Sequence, residues 1–265
     1  FLRKNKNRYK VIFKDYQTKI EDATLIIKDD KVVAVGSAIS IPQNAIRVDL
    51  KGKYIYPSFI DLYSDYGVEI KKTADDKRDS EIMISQKNGA YHWNEAIHPE
   101  IDAVEYFTPD TKKAEELRKL GFGVVLTHSQ DGIARGTGTL VTLADGKEND
   151  LIISEKASAH YSFSKGSSSQ NNPGSQMGAI ALIKQTYLDA DWYKNQKVKE
   201  ETNLSLEAWN SQQKLPQIFE VKDKLEILRA DKIASEFGSK YIVKGVGDEY
   251  QRLGELKASN VKLII

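Results

Sequence analysis

From residue 54 to the end of the chain, short apolar, β-branched runs alternate with longer amphipathic stretches, and this alternation restricts the fold more than any other feature. Strand and helix in turn make a mostly parallel sheet or barrel, because each helix carries the chain back across the sheet. The predicted strands are 54–63, GVVLTHS, TGTLVTL, LPQIFEV, KYIVKGV and VKLII. Helices are predicted over PDTKKAEELRKL, residues 176–195, residues 203–214, KDKLEILRADKIASEF and DEYQRLGELKAS. Pro109 and Asp110 open the first, lysine and arginine fill its last turn, and Gly121 stops it. In KDKLEILRADKIASEF, Leu225, Leu228, Ile233 and Phe237 are expected on one apolar face.

Residues before 54 read differently. VIF, TLIIKDDKVVAVG and AIRVDLKGKYI are short β-branched runs with a turn expected at Asp29-Asp30 and breaks at Gly36 and Pro42. They suggest a small β-domain over 1–53, followed by an incomplete (β/α) barrel over 54–265. About six strands are counted where a closed barrel needs eight. The chain ends on Ile265 in an apolar strand, so a C-terminal truncation is expected, with the remaining part of the same protein or another chain completing the sheet. Residues 70–100 and SFSKGSSSQNNPGSQ are polar and without period, and are expected to be loops.

Composition excludes several classes. The 39 lysines and arginines nearly cancel the 38 aspartates and glutamates, so net charge points to no nucleic-acid partner. No apolar run approaches the roughly 18 residues of a membrane span. With no cysteine, the chain has no disulfide, thiolate zinc site or cysteine nucleophile. No nucleophile elbow or dinucleotide fingerprint stands in the required strand–helix context.

The stretch YIYPSFIDLYSDYG (54–67) climbs through apolar residues to Ile60 and then places Asp61, Tyr63 and Asp65 at alternating positions. Strand alternation aims Tyr63 and Asp65 the same way at the C-terminal end, where α/β barrels build their active sites.

The run KVVAVGSAISIPQNAIRVDLKGKYIYPSFIDLYSDYG resembles the opening of the amidohydrolase superfamily, in its imidazolonepropionase-like branch. Val35-Gly36, Pro42, Ala45, Val48-Asp49, Gly52, Pro57, Phe59-Ile60-Asp61 and Gly67 carry the match. GFGVVLTHSQDGIARGTGTLV is similar to the family's second barrel strand with the loop and strand after it. PQIFEVKDKLEILRADKIASEFGSKYIVKGVGDEY is similar to the stretch holding the fifth and sixth strands. The resemblance implies a metal-dependent (β/α)8 hydrolase barrel beside a β-sandwich to which residues 1–53 contribute.

It also implies ligand positions, and those have changed. The family's first strand offers His-x-His, where this chain has Tyr63 and Asp65; a neutral tyrosine is a poor substitute for imidazole. The fifth-strand histidine is replaced within Phe219-Glu220-Val221, and the sixth-strand histidine by Lys244 before Gly245. The family's last ligand, an aspartate on the eighth strand, would fall beyond Ile265. No metal or other cofactor is therefore expected in this segment.

Four histidines remain. His92, His98 and His160 are expected in loops facing solvent. His128, after VVLT, is either a hydrogen-bonded rim histidine or part of a pocket with Tyr63 and Asp65. Arg135 lies in the glycine-bracketed GIARGTGT, read either as an anion contact or as a surface residue of a tight turn. Glu220 and Lys244 complete the pocket candidates, while Asp248 and Glu249 are as well explained by a helix start.

By resemblance, the chain is most of the degenerate first domain of a tandem bacterial protein, periplasmic or secreted, supporting structure or substrate binding for a hydrolase domain elsewhere. One alternative is an active hydrolase of C–N bonds in cyclic amides or peptide-like substrates, using zinc on rearranged ligands: Asp65, His128 and Glu220. The other is a protein-interaction module acting through loops 70–100 and 160–175.

Overall fold

The computed structural model describes residues 11–29, 31–50, 52–70, 85, 87–199, 201–259 and 261–264. Contacts group the chain into two units that divide between Phe59 and Ile60. Most of the expected 70–100 loop before residue 85 lies outside the described residues.

In the first unit, β1 (Val11–Phe13) runs antiparallel to β2 (Lys19–Glu21) and parallel to β5 (Tyr54–Ile55). β3 (Thr24–Lys28) and β4 (Lys31–Gly36) form the expected hairpin, with Lys28 opposite Lys31. Asp29 sits at φ +50°, a conformation that a short polar side chain tolerates in a tight hairpin turn. Among the described residues of AIRVDLKGKYI only Tyr54–Ile55 is a strand; Leu50 instead packs beside Ile12 and Ala23 in the small core.

The second unit is a seven-stranded sheet with helices between its strands. Its elements in chain order begin β6 (Phe59–Ser64), α1 (Thr111–Lys119), β7 (Phe122–Thr127), β8 (Ala134–Thr142), α2 (Glu148–Leu151) and β9 (Ile152–Ser162). There follow α3 (Gln176–Asn195), α4 (Leu204–Gln212), β10 (Gln217–Glu220), α5 (Lys224–Glu236), β11 (Tyr241–Lys244), α6 (Leu253–Ser259) and β12 (Lys262–Ile264). The spatial order is β12-β11-β10-β9-β8-β7-β6. β9, β10, β11 and β12 are parallel, as alternating strands and helices require. β8 is antiparallel to both β7 and β9. The connection 128–133 is too short for a crossover, so the chain must turn straight back.

Side chains stop and start the helices as the sequence suggests. Asp110, Ser175, Asn203 and Asp223 cap α1, α3, α4 and α5, each accepting from backbone N–H groups of the first turn. The buried face of α5 is Ile227, Ala230, Ile233 and Ala234, whereas Leu225 is 40 % exposed. Leu228 and Phe237 also pack against the main core, as expected with Ile233; only Leu225 departs, standing in the first turn beside the cap. Tyr161, Ile183, Trp209, Phe219, Ile227 and Val243 form the main core between sheet and helices. A second cluster gathers Tyr66, Phe107, Val125, Val141 and Leu143 around α1 and β7.

β9 has no counterpart among the predicted strands. Its first half, IISEK, is partly or fully exposed, and only Ala157 onward turns inward. Gly136 explains one feature of GIARGTGT: it sits at φ +84°, and a Cβ there would lie 1.9 Å from the Ile101 carbonyl oxygen. The segment before α1 runs alongside β8 at this point through parallel bridges from Ile97 to Ala134 and from Asp102 to Thr137.

Candidate functional site

The strand ends bring one polar group together. Register places Ser162, Glu220 and Lys244 side by side at the C-terminal ends of β9, β10 and β11. The His128 N–H donates to the Ser64 carbonyl at 3.0 Å, which joins the ends of β6 and β7 at the same rim. β8 runs the other way, so its beginning rather than its end lies here, with Ala134 opposite Tyr161. Antiparallel β8 is thus what delivers Arg135 to the rim.

Arg135 is 3 % exposed and organises the site. Its Nη1 donates to the Tyr63 hydroxyl at 2.7 Å, its Nη2 to Glu220 Oε2 at 2.7 Å, and its Nε to the Gly132 carbonyl at 3.0 Å. A guanidinium is always charged and presents its donors in a rigid fork, so three fixed acceptors on three segments hold it in one orientation. The surface-turn reading of Arg135 is corrected by this geometry. Burial pushes the Tyr63 phenol well above its usual range, more strongly than Arg135 pulls it down. Tyr63 therefore stays protonated. Lys244 Nζ lies 5.6 Å from the centre of the Tyr63 ring, within cation–π range.

Two stacked imidazoles adjoin Tyr63. The rings of His128 and His160 are 3.5 Å apart between centroids and 13° from parallel. Tyr63 meets the His128 ring edge-on at 4.6 Å. Burial, and then the Arg135 charge, lower the His128 pKa to about 3. His160 is lowered too, by burial first and then by His128 and Arg135. Both rings are consequently neutral. His160 Nε2 is hydrogen-bonded with Ser158 Oγ at 2.7 Å. His128 Nδ1 and Nε2 and His160 Nδ1 have no partner among the described residues. Gly138 makes room for the pair, since a Cβ there would lie 2.6 Å from both His160 Nε2 and Ser158 Oγ.

His160, expected in a solvent-facing loop, is instead a fully buried strand residue, and the unpredicted strand β9 is the reason. Its signal in the sequence is the alternation Ser158, His160, Ser162, a polar set at strand spacing. His92 is also buried, its Nδ1 accepting from the Asn94 N–H at 3.0 Å, and His98 is only partly exposed, near Glu100. Asp65 does not join the group. β6 ends at Ser64, alternation ends with it, and the exposed Asp65 carboxylate pairs with Lys113 at 3.2 Å. Glu249 accepts from the Val246 N–H at 2.6 Å and Asp248 lies 3.7 Å from Lys224, both away from Arg135.

Beside Glu220 a cavity of 160 Å³ opens among Ser162, Ser164, Gln176, Lys222 and Glu226. The Glu226 carboxylate accepts from Gln176 Nε2 and the Lys222 N–H, both at 2.6 Å, and burial raises its pKa. Among the described residues no group of three or more histidine, cysteine, aspartate and glutamate side chains is placed to hold a metal ion. The two stacked imidazoles keep their in-plane lone pairs parallel rather than convergent, a poor start for a shared tetrahedral ion.

No protein-family model matches this chain, and no curated protein matches it. Among solved structures, an amidohydrolase from Thermotoga maritima MSB8 is similar in fold, with a TM-score of 0.69 and 22% sequence identity over 91% of this chain. The chain spans 64% of the length of that structure. The likeness is one of fold: a mixed α/β architecture whose large sheet includes the parallel run β9 to β12.

Proposed function

We propose that this chain is an amidohydrolase-like domain without a resident metal, which supports structure or substrate binding for a hydrolase domain elsewhere in a longer protein. The observation that carries this reading is the Arg135 guanidinium bound to Tyr63 and Glu220. Those two residues stand where the resemblance puts first- and fifth-strand metal ligands. A permanent organic cation between them satisfies the carboxylate and repels a divalent ion from the same place. Lys244, at the sixth-strand position, adds a second positive charge to the Tyr63 ring.

The rearranged-ligand alternative fares worse on these contacts. It needs Asp65, His128 and Glu220 together, and Asp65 pairs with Lys113 while Glu220 pairs with Arg135. Closure of the sheet into a barrel belongs to the same proposal. Among the described residues β6 and β12 are the outer strands of the sheet, and an outer strand carries a row of backbone groups that a neighbouring strand would pair. The partner is then the rest of the same protein or a second chain. By the same resemblance we place the protein in the periplasm or outside a bacterial cell, in the imidazolonepropionase-like branch. Among the described residues no helix is long and apolar enough to cross a membrane.

The test is elemental analysis of the purified chain after dialysis against trace zinc, together with assays on cyclic amides and peptide-like C–N bonds. The expected result is less than roughly a tenth of a metal ion per chain and no turnover. Near one tightly held ion per chain, or metal-dependent hydrolysis, would overturn the reading.

A further inference from the structure

The longest described helix, α3, is apolar on two sides. Toward the core it buries Leu182, Ile183, Thr186, Ala190 and Tyr193. On the opposite side Met177, Leu188 and Trp192 are 82%, 57% and 66% exposed, and Ala181 between them is exposed as well. At about 100° per residue these four positions fall within about 60° of one another, so they form one stripe about 22 Å long. A surface helix normally keeps its outer face polar, and one that is apolar all round is normally covered. The outward face of α1 shows the ordinary case, with Lys112, Glu115, Glu116 and Lys119 in water.

The spacing of the stripe indicates its occupant. Met177 and Trp192 lie equally far from the midpoint between Lys184 and Gln185, and so do Ala181 and Leu188. A pattern symmetric about a point is what a two-fold axis requires, because an isologous contact sets residue i on residue j and j on i. Two antiparallel copies of α3, with the axis through that midpoint, set the Met177 thioether on the Trp192 ring and Leu188 over Ala181, twice each. Thioether sulfur packs well against aromatic rings, and a large side chain facing a small one lets the two helices interdigitate. The borders of the stripe agree. Lys184 pairs with Glu236 at 2.5 Å, Gln185 Nε2 donates to Asp189 at 2.7 Å, and Asn195 Nδ2 donates to Asp191 at 3.1 Å, all within one chain. A second copy therefore docks without stripping water from an unpaired charge on the stripe. A lipid surface would instead call for a row of lysine and arginine, and the signs here are mixed.

We propose that this chain self-associates through α3 as an antiparallel two-fold dimer, with Met177 against Trp192 and Ala181 against Leu188 of the second copy. Four side chains from each copy cover less than the roughly 800 Å² per partner of a standard interface, so the dimer is a weak one, with a dissociation constant of about 10 μM or more. It stands apart from the reading of the Arg135 rim, since no residue of that rim belongs to α3.

The test is sedimentation equilibrium of the full chain from about 5 μM to about 1 mM, a range that brackets a weak dimer. The expected result is a reversible equilibrium in which the mass rises with concentration and stops at two copies. Leu188→Glu sets a carboxylate against Ala181 of the second copy and is expected to weaken association at least about tenfold. Ala181→Lys added to Leu188→Glu puts opposite charges face to face across the axis and is expected to recover most of that loss. Both positions are exposed, so the fold is retained, which an unchanged circular dichroism spectrum checks. A chain that stays monomeric at the highest concentration, or a dimer that Leu188→Glu leaves as tight, overturns the proposal and assigns the stripe to another part of a longer protein or to a different partner. A dimer that Leu188→Glu weakens and Ala181→Lys does not restore overturns the two-fold pairing.

Discussion

His128 and His160 lie face to face, with ring centroids 3.5 Å apart, within reach of the Arg135 charge. Like-charged rings could not keep this spacing in a buried site, so the stack exists only while both are neutral. In the unfolded chain an imidazole titrates near ~6.5, and in the folded chain His128 titrates at about 3. Between those values the unfolded state binds more protons. Stability is therefore complete above the unfolded value and is lost as pH falls toward the folded one. From neutral pH to about pH 4 the loss from His128 is expected to be at most about 3 kcal/mol. Urea midpoints measured across that range should fall, and His128→Gln should flatten the fall. An unchanged slope in the variant would show that other groups set the acid limit.

Arg135 is buried and Glu220 is partly exposed, so removal of each has a different consequence. Arg135→Met leaves the Glu220 carboxylate half-solvated, whereas Glu220→Gln leaves a buried guanidinium short of its counter-charge. Breaking a buried pair costs about 3 kcal/mol or more, and water at Glu220 relieves part of this for the arginine variant. Glu220→Gln is expected to be the more destabilising of the two in chemical denaturation. Tyr63→Phe removes one hydrogen bond to a charged donor and is expected to cost about 2 kcal/mol.

Asp65→Ala is expected to be silent. Its pair with Lys113 joins two side chains that are 60% and 47% exposed, and such surface pairs contribute less than about 1 kcal/mol. Stability and zinc content should both match those of the unaltered chain. A loss of bound metal on this substitution would restore Asp65 as a ligand and remove the ground for the proposed function.

Two glycines with positive φ separate conformational strain from collision. At Gly238, φ is +69° and a Cβ would meet nothing within 4 Å, so Gly238→Ala is expected to cost about 1 kcal/mol from backbone strain alone. At Gly136 the added Cβ would also lie 1.9 Å from the Ile101 carbonyl oxygen. Gly136→Ala must displace the segment that runs alongside β8, and a loss well above that of Gly238→Ala is expected, read as the difference in thermal midpoints.

The alternation of strands and helices is legible in the sequence because each βα step obeys local rules: caps at Asp110 and Asp223, apolar runs at 217–220 and 241–244. The illegible part depends on a strand half in solvent. ISEK (153–156) carries no sustained apolar alternation, so β9 is invisible there and His160 reads as a loop residue. The direction of β8 is available in principle from the short connection 128–133, since no crossover fits there. Tyr63, His128, Arg135, Glu220 and Lys244 can be named from strand ends, but their mutual hydrogen bonds cannot. Which acceptor a buried arginine finds depends on register between strands far apart in the chain.

The antiparallel course of β8 also bears on the order in which the chain can assemble. β7, β8 and β9 form a meander over Phe122–Ser162 that needs no crossover helix, so its pairings close short loops. Pairings of this kind form at smaller entropic cost than the parallel ones that add β10, β11 and β12. Arg135, His128 and His160 all lie within or beside this meander, whereas Glu220 arrives only with β10, 85 residues along the chain from Arg135. Pulse-labelled hydrogen exchange is expected to protect amides of β7 to β9 before those of β10 to β12. On that schedule the guanidinium and the histidine stack are in place before the Glu220 carboxylate that pairs with Arg135 arrives.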